Sequence, residues 1–77
     1  MQTGYVLCTN DFLKVLCLNE MKDGVVLIEV DSTQDINRAI CVSDLTEAKN
    51  ILERLQNSGL VGDLKISNVA KLYKRFY

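Results

Sequence analysis

Asp35-Ile36-Asn37-Arg38-Ala39-Ile40-Cys41-Val42-Ser43-Asp44-Leu45-Thr46-Glu47-Ala48-Lys49-Asn50-Ile51-Leu52-Glu53-Arg54-Leu55-Gln56-Asn57-Ser58-Gly59 is the stretch that decides the fold. Its second half predicts one amphipathic helix from about Leu45 to Ser58. Leu45, Ala48, Ile51, Leu52 and Leu55 recur at i, i+3, i+6, i+7 and i+10, which places them on one helical face. Lys49, Asn50, Glu53 and Gln56 point away from that face. Asp44 is a good N-cap, with Glu47 three residues on as its capping-box partner. Gly59 supplies the left-handed residue that stops the helix. The first half of the stretch predicts a short turn anchored by Ile36 and Ala39. Ile40-Cys41-Val42 then reads as a short edge strand leading into the helix.

Everything before this stretch has strand character. Tyr5-Val6-Leu7-Cys8-Thr9 is β-branched and aromatic, and Asn10-Asp11 is turn-forming. Phe12 to Leu18 predicts a second strand. Asp23-Gly24 closes a hairpin into a third, Val25 to Val30. These strands do not alternate: Leu13 to Leu18 and Val25 to Ile28 carry apolar groups on both faces. A sheet with one wet face alternates. The second face therefore needs cover from another chain or from the C-terminal segment. Beyond Gly62, Asp63-Leu64-Lys65-Ile66-Ser67 alternates as a strand. The tail supports two readings. One is a strand continuing to about residue 70. The other is a terminal helix on which Val69, Leu72, Tyr73 and Phe76 share a face. The expected architecture is a single α+β domain: an antiparallel β-meander of four to five strands with one amphipathic helix packed on one face, and a short C-terminal helix as the alternative for the tail.

Seventy-seven residues leave room for one domain. A chain of this size buries only about 60% of its unfolded surface, so oligomerisation, metal or disulfides often supplement its core. Composition is globular, at 48% apolar and 25% charged residues. A net charge of −1 argues against a binder driven mainly by phosphate contacts. Cys8, Cys17 and Cys41 are odd in number and widely spaced, and the chain has no histidine to complete a zinc set. They predict small hydrophobes in a reduced, cytoplasmic protein. The N-terminal residues lack the basic start and apolar core of a signal peptide. Apolar runs such as Val25 to Ile28 are too short to span a bilayer, so no membrane association is expected.

No residue pattern assembles a reaction centre. Without histidine, Ser-His and Cys-His nucleophile pairs are excluded. Glu29 and Asp31 share a strand face, the usual placement of solvated carboxylates. Lys14 among apolar neighbours reads as a snorkelling edge lysine. Asp31-Ser32-Thr33-Gln34-Asp35 lacks the acidic third position, central glycine and terminal glutamate of a calcium loop, and predicts a polar loop. Gly59-Leu60-Val61-Gly62 has a Gly-x-x-Gly spacing, but no basic residue lies within it and Asp63 follows. A helix stop plus turn is the expected role. No catalytic, metal or cofactor residue is expected, and no enzyme. The most suggestive local feature is the tail, where cations interleave with aromatics: Lys71, Tyr73, Lys74, Arg75, Phe76 and Tyr77, with Lys65 upstream. Single-strand nucleic-acid binders stack bases on such rings while cations meet phosphates. The plainer expectation is that the rings pack and the cations are solvated. The same tail would also suit an acidic protein surface.

Tyr5-Val6-Leu7, Asp35-Ile36-Asn37-Arg38-Ala39, Glu47-Ala48 with Ile51 and Leu55, and Leu64-Lys65-Ile66 follow one another in an order that resembles a loose group of small, mostly uncharacterised proteins encoded by phages and prophages. The resemblance spans most of the chain and is carried by structural motifs. It departs at Ile40-Cys41-Val42, where a phenylalanine pinning the helix is expected. The resemblance implies a small accessory protein acting on a host protein. The functional expectation is a non-enzymatic protein–protein interaction module, homodimeric, of phage or mobile-element type. The alternative is a nucleic-acid-binding accessory protein that uses the basic aromatic tail.

Overall fold

The computed structural model describes residues 3–59 and 61–77. Four strands form one antiparallel sheet: β1 (Tyr5–Cys8), β2 (Lys14–Leu18), β3 (Val25–Glu29) and β4 (Lys65–Asn68), in the order β3-β2-β1-β4. Three helices accompany it: α1 (Thr33–Asn37), α2 (Leu45–Ser58) and α3 (Val69–Tyr73), the last running into a single 3₁₀ turn, Lys74–Phe76. The fold is the α+β arrangement expected, with four strands, an amphipathic helix over the sheet and a short C-terminal helix.

The lack of alternation in β2 and β3 has a direct cause, since helices cover both faces of the sheet. On one face Val6, Cys8, Val15 and Cys17 are buried with Ile36 of α1 and with Val69, Leu72 and Tyr73 of α3. On the other face Leu7 and Leu16 are buried with Leu64. Ile51, Leu52 and Leu55 of α2 pack over them half-buried. Leu16, Ile36 and Leu72 are fully enclosed, and each such side chain contributes about 1.5–3 kcal/mol of burial. The second face is therefore covered by the chain itself, through α1 and the C-terminal segment. Leu45, expected on the covering face of α2, is 40% exposed.

The helix ends follow their local sequence. The Asp44 carboxylate accepts the Thr46 N–H at 3.0 Å, at the second helical position, whereas a capping box would use Glu47. Gly59 closes α2 at φ 74°. Asp31–Asp35, expected as a polar loop, instead starts α1: the Asp35 carboxylate accepts the Asp31 and Ser32 N–H groups at 2.9 and 3.1 Å. The spacing of Ser32 and Asp35 is that of a capping box, and Ile36 anchors the turn in the core. The tail resolves in favour of the helix. Asn68 ends β4, and its side chain accepts the Ala70 N–H at 3.0 Å, so the expected strand to residue 70 stops at the cap. The second strand starts at Lys14, two residues later than expected, because Phe12 turns the chain at φ 64°.

Residues 39–42 depart most from expectation. They do not form an edge strand but lie inside the sheet. β1 and β2 pair directly at Cys8 and Val15 and then diverge, and the 39–42 segment fills the opening. Ile40 N–H donates to the Leu16 carbonyl at 2.9 Å. Tyr5 and Val42 exchange bonds of 2.7 and 2.9 Å. Ala39 bridges Cys17, and Val42 bridges Tyr5, each antiparallel. Since β1 and β2 run in opposite directions, no straight segment can be antiparallel to both. The chain must turn between residues 39 and 42. Gly4 makes this possible. It sits at φ 118°, and a Cβ there would lie inside the van der Waals surface of the Val42 carbonyl oxygen and 3.1 Å from its carbonyl carbon.

Candidate interaction surface

The structure divides the basic aromatic tail between core, brace and solvent. Leu72 and Tyr73 are buried, and the Tyr73 hydroxyl donates to Asn37 Oδ1, tying α3 to α1. Phe76 is half-buried against the same core. These two rings serve the fold. Lys65 and Arg75 both engage Phe12: the Lys65 ammonium lies 3.4 Å from the ring centroid, and Arg75 Nη1 donates to the Phe12 carbonyl oxygen at 2.6 Å. A non-glycine residue in the left-handed region costs roughly 1–2 kcal/mol. Phe12 is held there by its turn and by these two cations. Lys71 and Lys74 are exposed, and Tyr77 is 82% exposed.

The Phe12 turn is itself closed by side chains. Thr9 Oγ1 donates to Asp11 Oδ1 at 2.6 Å, and the Leu13 N–H donates to the same oxygen at 3.0 Å. The Thr9 hydroxyl, and after it the Leu13 amide, hold the Asp11 carboxyl below its ordinary value. An open groove of about 230 Å³ lies next to this turn, lined by Leu13, Lys14, Glu29, Val30, Asp31 and Arg75. Lys14 and Glu29 are direct cross-strand partners in it. Two cationic and two anionic side chains line the groove, so it favours no single charge.

The three cysteines are free thiols, and burial raises the pKa of each. Cys8 and Cys17 lie in the core. The half-buried Cys41 thiol donates to the Thr3 carbonyl at 3.0 Å. Among the described residues no group of three or more Cys, Asp or Glu side chains is placed to hold a metal ion. Of the Gly59-Leu60-Val61-Gly62 stretch, Leu60 lies outside the described residues, and Gly59 is the stop of α2. No helix among the described residues is long and apolar enough to cross a membrane.

The surface that sequence reasoning passed over is the outer edge of β3. Asn19 N–H donates to the Gly24 carbonyl at 3.0 Å, and Val30 N–H to the Leu13 carbonyl at 2.8 Å. Both pairs continue the register in which Leu16 faces Leu27 and Cys17 faces Val26. Hydrogen-bonded pairs alternate along an antiparallel ladder. Residues 24, 26, 28 and 30 therefore turn their backbone groups towards β2. Val25, Leu27 and Glu29 turn theirs outward, at the end of the strand order. Large exposed hydrophobics gather on the same hairpin: Leu13 at 52%, Leu18 at 67%, Met21 at 90% and Val26 at 39%. The other sheet edge is short and defended. β4 has four residues, begins with Lys65 and is cut off by the Asn68 cap. β3 carries none of the usual edge defences except Glu29 at its end. This alternation could be found only once the β2–β3 register was known.

Comparison of the chain with protein-family models, with curated proteins and with solved structures returns no match.

Proposed function

We propose that this chain is a small, non-enzymatic protein–protein interaction module of phage or mobile-element type, homodimeric and cytoplasmic, that modulates a host protein by steric contact. One observation carries the reading. Four of the six large hydrophobics that stand exposed among the described residues, Leu13, Leu18, Met21 and Val26, belong to the β2–β3 hairpin. They lie on both faces of the hairpin rather than in one patch, and what joins them is the outer edge of β3, whose outward backbone groups are a template for pairing with another chain. Three free thiols accord with a reducing compartment. The tests are light scattering on a sizing column at micromolar concentration, and a pull-down from the cell of origin read out for protein and nucleic acid together. A monomer that captures no protein removes the reading.

A second reading has narrower support. Lys71 and Lys74 are exposed at i and i+3 along the C-terminal helical turns, a spacing suited to phosphate contacts, with Arg75 beside them bonded through Nη1 to the Phe12 carbonyl. The rings that would stack bases are mostly committed, with Tyr73 buried and Phe76 half-buried. This reading predicts salt-sensitive binding to mixed oligonucleotides, and the absence of a mobility shift at low salt removes it.

A further inference from the structure

We propose that the outer edge of β3 pairs with β3 of a second copy of this chain, antiparallel about a two-fold axis at Leu27, joining two four-stranded sheets into one. The inference rests on the dimeric reading above and adds to it the surface and the register. A two-fold interface requires that residue i face residue j while j faces i. The outward-turned residues Val25, Leu27 and Glu29 are centred on Leu27. An axis there sets Val25 against Glu29 of the second copy, Leu27 against Leu27, and Glu29 against Val25. Each such pair exchanges both backbone bonds, roughly six in all.

Side chains on both faces agree with this register. Within the chain Leu16 faces Leu27 and Cys17 faces Val26. The axis therefore sets the two Leu27 side chains in one row with both Leu16 residues on one face. On the other face the exposed Val26 of each copy meets Ile28 of the other, a β-branched cross-strand pair of the kind that stabilises sheets. The seam charge is also placed well. Glu29 keeps Lys14 as its partner within the hairpin, and the two Glu29 residues lie four residue rises apart, about 14 Å, beyond the screening length in physiological salt. Moving the axis to residue 26 brings Asp23 opposite Glu29, like against like. The axis at Leu27 sets one apolar residue, Val25, against a carboxylate; moving it to residue 28 sets two, Leu27 against Glu29 and Val25 against Asp31, and loses the Leu27–Leu27 pair. Beyond Glu29 the ladder ends by itself, because the Asp31 N–H is taken by the Asp35 carboxylate as the chain turns into α1.

Amide hydrogen exchange on the full chain, followed by NMR at low-micromolar and near-millimolar concentration with light scattering on the same samples, tests this. The expected result is a concentration-dependent dimer. On dimerisation the amides of Leu27 and Glu29 slow by roughly a hundredfold, while those of Val26 and Ile28, bonded to β2, are protected throughout. Glu29→Pro removes one outward N–H and no bond to β2, so it should abolish the dimer with the circular dichroism spectrum retained. A dimer in which the Leu27 and Glu29 amides exchange freely, or a folded Glu29→Pro protein that still dimerises, overturns the seam and leaves the interaction reading standing. A protein monomeric at both concentrations ends the seam and the homodimer together. If Glu29→Pro fails to fold, exchange in the unmodified chain decides.

Discussion

Gly4 offers the sharpest test of how the 39–42 segment is held. A Cβ at Gly4 meets two independent penalties. The φ of 118° is a region that L-residues rarely adopt, and the added carbon would collide with the Val42 carbonyl. Backbone strain of this kind costs about 1–3 kcal/mol. Moving Val42 away to relieve the collision would sacrifice its two bonds with Tyr5, at 2.7 and 2.9 Å, each contributing about 0.5–1.5 kcal/mol. Gly4→Ala should therefore destabilise by roughly 2–6 kcal/mol. That is a large part of the ~4–12 kcal/mol expected for 77 residues. Gly24 is the internal control. It also has positive φ, 143°, but nothing lies within 4 Å of its Cβ position, so Gly24→Ala carries strain alone, about 1–3 kcal/mol. Urea unfolding of both variants reads the difference. With a slope near ~1 kcal/mol per molar for a small domain, the Gly4→Ala midpoint should fall about 1–3 M further than that of Gly24→Ala. Equal midpoints for the two variants would refute the claim that close approach to Val42 fixes this glycine.

Three further outcomes follow from side chains described above. Tyr73→Phe removes the hydroxyl that donates to Asn37 and should cost about 1 kcal/mol in thermal or urea unfolding, with the α3–α1 contact retained. Asp11 is held below its ordinary 3.8 by the Thr9 hydroxyl and the Leu13 amide. Its contribution is therefore present above that pH and is lost as pH falls through the depressed value; Asp11→Asn should flatten the stability profile below about pH 4. Thiol titration with an aromatic disulfide should label Cys41 slowly in the native protein and leave Cys8 and Cys17 unlabelled until denaturant is added, because burial both shields those thiols and raises their pKa. Rapid native labelling of Cys8 would contradict its place in the core.

How much of this was legible in the sequence depends on how local each signal is. α2 could be read to the residue, because Asp44, the apolar spacing and Gly59 all lie within its own length. The β2–β3 hairpin was equally plain from Asp23-Gly24 and the strands on either side. The tail held two periodicities at once, and Asn68 decided between them by capping α3 with its side chain. α1 was missed because Ser32 and Asp35 also suit a polar loop, and only the burial of Ile36 makes the helical turn worth forming. The position of residues 39–42 was out of reach for a different reason. An apolar triplet looks the same at a sheet edge as in a gap between two strands, and that gap exists only because β1 and β2 diverge after Cys8 and Val15. Of the proposed tail surface, Lys65 and Arg75 were recognisable as cations, but their common partner, Phe12, lies more than fifty residues away.

The inserted segment also sets a schedule for folding. β2 and β3 can zip locally, and α2 can form from its own sequence. β1 has little to pair with nearby beyond Cys8 and Val15. Its remaining bonds wait for Val42 on one side and for residues 65–69 on the other. The strand nearest the N-terminus is thus among the last to be satisfied. It stays an open edge until most of the chain is in place, and such long-range closure slows folding relative to the hairpin. Mutations in β1 should then act mainly on the unfolding rate, and those in the β2–β3 hairpin on the folding rate.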